Sequence, residues 1–373
     1  MKILNSLYIH FPFCRHLCNY CDFYKTIPQN GSEINSFHKL FEESFEKHQE
    51  LMKTNSFNWG NLETLYIGGG TPSLWGKEGA IFLRDFLNSK GIKFSDDLEF
   101  TLEVNPGSWT VESLEEWKKT GVNRYSLGIQ SLDGRFIKHI DRVHSIEDTF
   151  ATLEYFKNQN YNFSVDFMLG IPFSEELDRD VISELEKVLT FNPEHISLYI
   201  LTTKDNYIHK NNLPSEERIE KEYLAVSEYL TSKGFLHYEV SNYAKPGMRS
   251  KHNLKYWKGD SVGAIGPSAT GFLSHGNKGV RYKWQTKSPE FVLENIGIDE
   301  YKLERLYTLL RTDEGINGNA FFYDQKKWNQ LLEKWSQMGY LNSRNGDLVR
   351  LSSKGYLLLD SLMDDIFLNF KTL

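Results

Sequence analysis

Between about residues 6 and 203 the chain repeats one pattern: a short run rich in β-branched and aromatic residues, then a longer amphipathic stretch. That alternation is the mark of βα units, whose strands lie parallel, and roughly six such units in succession leave few architectures open. The strand candidates are residues 7–11, 64–67, 100–104, 124–129, 164–169 and 196–201. Helical stretches between them include residues 37–52, where Phe37, Leu40, Phe41, Phe45 and Leu51 recur near helical spacing, and residues 111–119, which run into the stop signal Gly121. Polar and glycine residues gather at the C-terminal ends of these strands. Gly68-Gly69-Gly70-Thr71 follows the second, Glu103-Val104-Asn105-Pro106 closes the third, Gln130 closes the fourth, and Asp166 lies within the fifth, ahead of Gly170. In parallel barrels that rim is where active sites are assembled.

The chain's three cysteines, Cys14, Cys18 and Cys21, fall within one octapeptide just beyond the first strand. An odd, crowded set is no disulfide framework and reads as ligands to a metal centre. Three thiolates from one loop can bind three irons of a cubane cluster and leave the fourth iron open to a substrate or cofactor. A Cys3His zinc site, with His10 or His16 as fourth ligand, suits the same thiols, and three structural thiols are the plainest alternative. Charge removes other classes. Against 43 Lys and Arg stand 50 Asp and Glu, a net charge of −7, so no global positive field exists to hold nucleic acid or anionic lipid. No apolar run is long enough to span a bilayer, and the opening residues are too polar for a secretory segment, so the expectation is a soluble cytoplasmic protein.

Beyond residue 205 the pattern changes. An acidic helix is expected over 216–230, a strand over 238–243 and a glycine-rich loop region over 259–271. From about Tyr301 the chain reads as mostly helical, ending in Tyr340-Leu341, a turn at Asn345-Gly346 and Leu348-Val349-Arg350-Leu351, an order that resembles a small winged-helix unit. Ten Lys and Arg against nine Asp and Glu in this segment give no DNA-binding footprint, which makes it a packing or docking domain.

The Cys-x3-Cys-x2-Cys spacing, together with Gly68-Gly69-Gly70-Thr71-Pro72, resembles the radical S-adenosylmethionine (radical SAM) superfamily. The resemblance implies a partial (β/α)6 barrel of the TIM type carrying a 4Fe-4S cluster on Cys14, Cys18 and Cys21. It also implies S-adenosylmethionine (SAM) at the open iron, whose one-electron cleavage yields methionine and a 5'-deoxyadenosyl radical. Asn123-Arg124-Tyr125-Ser126-Leu127-Gly128-Ile129-Gln130-Ser131, Arg142-Val143-His144 and Asp166-Phe167-Met168-Leu169-Gly170-Ile171-Pro172 are similar to the branch containing oxygen-independent coproporphyrinogen III oxidases and the HemW haem chaperones. By that resemblance Tyr8, Tyr20, Gly69, Gly70, Thr71, Glu103, Gln130, Arg142 and Asp166 surround SAM. Carboxylates suit ribose hydroxyls, and Arg142 suits a carboxylate.

Two features point to the chaperone side of the branch. The oxidase's fourth cysteine is replaced by Phe23, and no long extension precedes Cys14. A His-Asn-x-x-Tyr-Trp motif typical of the chaperones stands at His252-Asn253-Leu254-Lys255-Tyr256-Trp257, which implies haem as a further cofactor, His252 as its axial ligand, and Tyr256 and Trp257 against the porphyrin face. From spacing alone, a histidine beside two aromatics is more often a core cluster. Two departures accompany the match: Ser268 and Thr270 stand where relatives often have glycine and histidine, and Lys204 stands where they often have an acid. The implied partners are haem or porphyrin, a haem-acceptor protein, and a reductant such as a flavodoxin or ferredoxin. Nucleic acid is not expected, and membrane contact is expected only through a partner. The expected domains are a radical SAM core over 1–235, a connecting region with the His-Asn-x-x-Tyr-Trp motif over 236–295, and the winged-helix-like unit over 296–373. Two alternatives stay open: the coproporphyrinogen oxidase itself, and a zinc-stabilised, non-catalytic interaction protein.

Overall fold

The computed structural model describes residues 1–29, 32–345 and 348–370. Its frame is six parallel strands lying side by side in chain order: β1 (Lys2–Phe11), β2 (Phe57–Gly69), β3 (Phe94–Val104), β4 (Arg124–Gln130), β5 (Phe163–Leu169) and β6 (His195–Ile200). Helices α1 (Ser32–Thr54), α2 (Gly76–Ser89), α3 (Val111–Thr120), α4 (Gly134–His139), α5 (Ile146–Asn158), α6 (Val181–Leu189) and α7 (Glu216–Ser232) alternate with them. All six expected strands are present. β1, β2 and β3 begin well upstream of the apolar runs, because Lys2, Ile3 and Leu4 pair with Phe57, Asn58 and Trp59, and Leu62 pairs with Phe94. A paired neighbour overrides the weak strand preference of polar residues such as Asn58 and Asp96.

Every residue of β4 is buried, as expected of a parallel strand covered on both faces. Leu7, Ile9 and Phe11 of β1, Leu65 and Ile67 of β2, Leu127 and Ile129 of β4, and Val165 and Phe167 of β5 share one core with Phe41, Phe45, Leu83, Trp117 and Phe156 of the helices. Helix ends are set locally. Thr110 Oγ1 accepts from the Ser113 amide, Ser113 Oγ accepts from the Thr110 amide, and Gly121 at φ 116° ends α3 where the sequence predicts a stop.

Residues 236–295, read from sequence as a connection, contribute strands to both edges of this sheet. β7 (Leu236–Glu239) and β8 (Asn242–Ala244) add antiparallel strands beyond β6. After α8 (Lys251–Trp257), β9 (Gly263–Ile265) lies parallel to β1 at the opposite edge. The expected strand over 238–243 is therefore a hairpin. Its turn at Val240-Ser241 is held by the buried Glu239 carboxylate, which accepts from the Ser241 amide and the Asn242 side chain. The expected loop region 259–271 contains β9, three fully buried residues too short for any periodic signal. β10 (Thr270–Ser274), β11 (Gly279–Trp284) and β12 (Phe291–Ile296) then form a separate antiparallel sheet.

The last segment is mainly helical: α9 (Ile298–Leu310), β13 (Ile316–Asn317), α10 (Gln325–Gln337), β14 (Leu341–Asn345), β15 (Leu348–Leu351), α11 (Ser353–Leu357) and α12 (Leu359–Asn369). Its three strands pair in the order β13-β15-β14, and Leu306, Trp328, Trp335, Val349 and Ile366 give it a core of its own. The turn expected at Asn345-Gly346 falls partly outside the described residues. Among the contacts that tie the unit to the sheet, the Val240 amide donates to Arg311 O, the Asp313 amide donates to Tyr238 O, Arg311 pairs with Glu239, and Arg249 pairs with Asp313. Among the described residues no helix is long and apolar enough to cross a membrane.

Candidate functional site

The segments that follow β1, β2, β3 and α4 enclose one cavity of about 120 Å³. Its wall includes Cys14, Cys18, Cys21, Tyr20, Gly70, Thr71 and Arg142, so seven of the residues predicted from sequence meet in one place. The cysteine loop is clamped at its base. The Cys14 amide donates to Thr26 O, the Thr26 amide donates to Pro12 O, and Lys25 Nζ donates to Cys21 O at 2.5 Å.

The glycine run brings β2 close to this loop. The amides of Gly70 and Thr71 donate to Phe11 O and Phe13 O. A Cβ on Gly70 would lie 2.7 Å from Phe13 O and 2.9 Å from the Pro12 carbonyl carbon, backbone atoms that have little room to yield. Gly69, at φ 118°, would drive a Cβ into the His10 ring. These glycines therefore serve a close approach as well as a turn.

A chain of polar side chains links the thiols to β4. Thr71 Oγ1 donates to Cys14 Sγ at 3.4 Å, Asn105 Nδ2 donates to Thr71 Oγ1 at 3.1 Å, and Arg142 Nη2 donates to Asn105 Oδ1 at 2.8 Å and to Gly128 O at 2.6 Å. Burial pushes the Cys14 and Cys18 thiols up, and the Arg142 charge pulls both back, helped at Cys14 by the Thr71 hydroxyl. Burial also lifts the Tyr20 hydroxyl to about 12. Burial disfavours the Arg142 cation, but Tyr20, Cys18 and Cys21 hold it more firmly charged than usual.

Tyr8, Gly69, Glu103, Gln130 and Asp166 do not line that cavity and form an adjoining group. Glu103 accepts from Tyr66 Oη at 2.9 Å and from the Gly69 amide at 3.1 Å, and burial raises its carboxyl to about 7, with Asp166 adding to the rise. Asp166 accepts from Ser126 Oγ at 3.1 and 3.2 Å; burial raises it too, opposed by the Ser197 and Ser126 hydroxyls. Gln130 sits at φ 65° at a register shift between β4 and β5, and its buried Oε1 has no partner. An orphaned acceptor of this kind, beside carboxyls not yet paired with cations, suits a polar ligand.

Sequence reading missed Asn105 and Tyr66 as site residues. Each has a predicted residue as a signal nearby: Asn105 follows the end of β3 two positions after Glu103, and Tyr66 of β2 pairs in register with Tyr8 of β1.

The donor set fits three irons of a cluster better than one zinc ion. Both His10 nitrogens are engaged, Nδ1 with Tyr8 Oη at 3.1 Å and Nε2 with Tyr24 O at 2.8 Å. His16 Nε2 lies 2.9 Å from an Asp141 carboxylate oxygen, close enough for an ion pair although not aligned for a hydrogen bond. Among the described residues no three His, Cys, Asp or Glu side chains are arranged around a single metal ion.

The haem candidates lie elsewhere. His252 is buried at 1% exposure beneath α8, with Nδ1 2.8 Å from Thr64 Oγ1 and Nε2 unpartnered. Its ring stacks on Tyr66 at 5.2 Å and meets Tyr256 edge-on at 5.4 Å, and burial holds it near a pKa of 3. Tyr256 and Trp257 line a second cleft, where the Arg311 guanidinium covers the Trp257 ring at 3.7 Å. Lys204 is an exposed partner of Asp22, and Ser268 takes φ 63°, a conformation that favours glycine.

Residues 8–185 match the Radical SAM superfamily. The chain is 34% identical to the heme chaperone HemW of Buchnera aphidicola subsp. Schizaphis graminum over 98% of both chains, and 34% identical to the heme chaperone HemW of Bacillus subtilis over 72% of this chain and 71% of that one. It is 30% identical to the mitochondrial radical S-adenosyl methionine domain-containing protein 1 of Danio rerio over 98% of this chain and 87% of that one. Among solved structures, coproporphyrinogen III oxidase (HemN) from Escherichia coli superposes with a TM-score of 0.77 over 97% of this chain and 89% of that one, at 18% identity, a likeness of fold.

Proposed function

The chain belongs to the HemW family of the radical SAM superfamily, and on that footing we propose that it binds haem, a 4Fe-4S cluster and SAM, and passes haem to an acceptor protein. Family membership implies the cluster and SAM. The observation that carries the reading is the convergence of three thiols, a glycine-built strand end and the Thr71-Asn105-Arg142 chain on one cavity.

In this reading Cys14, Cys18 and Cys21 would hold the cluster through three of its irons. Once bound, the cluster and SAM supply one-electron chemistry that no side chain offers. The protein's own residues do the rest. Gly69, Gly70 and Thr71 admit the methionine end of SAM to the backbone, and Arg142 offers a fixed positive charge to its carboxylate. Glu103, Gln130 and Asp166 accept hydrogen bonds from its ribose and amino groups, while Tyr8 and Tyr20 wall the site. His252 would hold the haem iron in this reading, through the Nε2 that has no partner, with its Nδ1 on Thr64. The boundary at 295 is retained as part of the same proposal, with residues 236–295 joined to the core because β7, β8 and β9 extend its sheet.

The test is anaerobic reconstitution of the full chain, with iron and acid-labile sulfide analysis of wild type and Cys18→Ala and a visible spectrum before and after haem. About four irons per chain in wild type, lost in the variant, together with one haem bound per chain, is the expected result. Zinc in place of iron, or no haem bound by a chain with an intact cluster, overturns it.

A further inference from the structure

Away from the cysteine cavity, a cleft of about 190 Å³ runs between α8, the β10–β11 hairpin and α9. Tyr256, Trp257, Phe272 and Tyr301 line it, and the Phe272 and Tyr301 rings stack on each other, 18° apart at 6.2 Å, to form one aromatic face. Such a face suits a flat ligand.

The cleft also holds a guanidinium with capacity to spare. Arg305 Nη1 donates to Trp257 O at 2.5 Å and to Thr308 Oγ1 at 3.1 Å, and among the described residues no carboxylate lies within ion-pair distance of it. Five N–H donors are built into that group, and these two bonds use one nitrogen. The other charges in the wall are paired: Arg281 with Glu294 and Glu304, and Asp260, at the longer distance of 3.9 Å, with Lys255. Burial lowers the Arg305 pKa, as expected for a cation without an anion in contact. A second orphan points the same way, since the buried Trp257 Nε1 has no partner. Aromatic walls with an uncommitted planar cation are the chemistry that recognises a flat carboxylate-bearing ring.

We propose that this cleft receives the carboxylate edge of haem, with a propionate on Arg305 and the ring edge against the aromatic face of Phe272 and Tyr301. The assignment rests on the haem-binding reading and adds to it where the ligand docks and which group recognises its carboxylates. Tyr256 belongs to this wall and also packs on His252, so one side chain separates the docked edge from the candidate haem ligand.

The test compares haem with haem dimethyl ester, whose carboxylates are masked, by visible titration of the cluster-loaded full chain in wild type, Arg305→Met and Tyr301→Leu. Wild type is expected to prefer haem by about tenfold, as a charge-assisted bond implies. Arg305→Met should lose that preference while keeping its affinity for the ester. Tyr301→Leu should weaken both ligands to a similar extent and keep the preference. Equal binding of haem and ester by wild type, or an undiminished preference in Arg305→Met, overturns the cleft assignment while leaving haem binding intact. Failure of wild type to bind either ligand overturns the haem reading itself, so the two failures are distinguishable.

Discussion

Glu103→Gln should make the protein more stable at alkaline pH and a poorer binder of SAM. The folded chain raises the Glu103 carboxyl from its ordinary 4.5 to about 7, chiefly by burial. Between those two values the native state holds a proton that the unfolded chain has released, so stability falls as pH rises through the window. The contribution is full below about 4.5 and lost above about 7. At ~1.36 kcal/mol per pH unit the span is about 3 kcal/mol, an upper bound because the carboxyl keeps some solvent contact. Glutamine removes the titration without orphaning its neighbours: its oxygen can accept from the Gly69 amide, and the Tyr66 hydroxyl can rotate to accept from its NH2.

The wild-type pH profile alone would hide this effect. Burial holds His48, His144 and His252 each near 3 against an ordinary 6.5, so each stays neutral in the fold while the unfolded chain takes up a proton below 6.5. Their contribution is present above 6.5 and lost as pH falls. At pH 5 it amounts to ~2 kcal/mol each and ~6 kcal/mol together, more than Glu103 returns. The readable quantity is therefore the difference between variant and wild type. With unfolding entropy of ~2.1 cal/mol/K per residue over 373 residues, about 3 kcal/mol corresponds to a Tm raised by about 4 °C at pH 8.5, vanishing or reversing near pH 5. Thermal melts of both proteins at the two pH values check it. A Tm difference independent of pH would refute the argument, and unchanged SAM affinity would remove Glu103 from the cofactor site.

Gly70→Ala should cost about 2 kcal/mol and reduce the iron retained per chain, because its Cβ meets the backbone of Pro12 and Phe13 just before Cys14; iron analysis with a denaturant melt reads both. Ser268→Gly should stabilise by about 0.5–1 kcal/mol, the relief of a left-handed backbone less the added freedom of the unfolded chain, as measured by the shift in Tm. Arg311→Met should destabilise by about 3–5 kcal/mol by leaving the fully buried Glu239 carboxylate without its partner, and limited proteolysis should then cut first near the seam between β7 and α9.

What the sequence displays is what depends on near neighbours. Cys14, Cys18 and Cys21 need only their spacing to be read as one ligand set, and the six strands announce themselves because each is a buried apolar run between polar stretches. Three-residue strands carry no such signal: β9 is recognisable only once β1 is there to pair with it. Glu239 is similarly opaque, since an isolated acid after a tyrosine predicts exposure, and its burial is reasonable only with Arg311 supplied from 72 residues away. Asn105 was legible as a strand-end residue but not as the bridge between Thr71 and Arg142, a role created by three strand ends meeting.

The same logic joins the two motifs that look independent along the chain. The glycine run and the His-Asn-x-x-Tyr-Trp motif are separated by about 180 residues, yet the Gly69 amide binds Glu103, Glu103 accepts from Tyr66, Tyr66 stacks on His252, and His252 packs on Tyr256 in the wall of the second cleft. Each link is a hydrogen bond or a ring contact within 5.4 Å. His252 is thus held by the floor of the site that adjoins the cysteine cavity, with Thr64 of β2 fixing one nitrogen and Glu99 of β3 accepting from its amide. A substitution that shifts the ends of β2 and β3 must therefore disturb both places at once, whereas one confined to α9, such as Arg305→Met, reaches the cleft without touching the cysteines. That asymmetry allows the two proposed ligand sites to be separated by mutation even though one framework builds both.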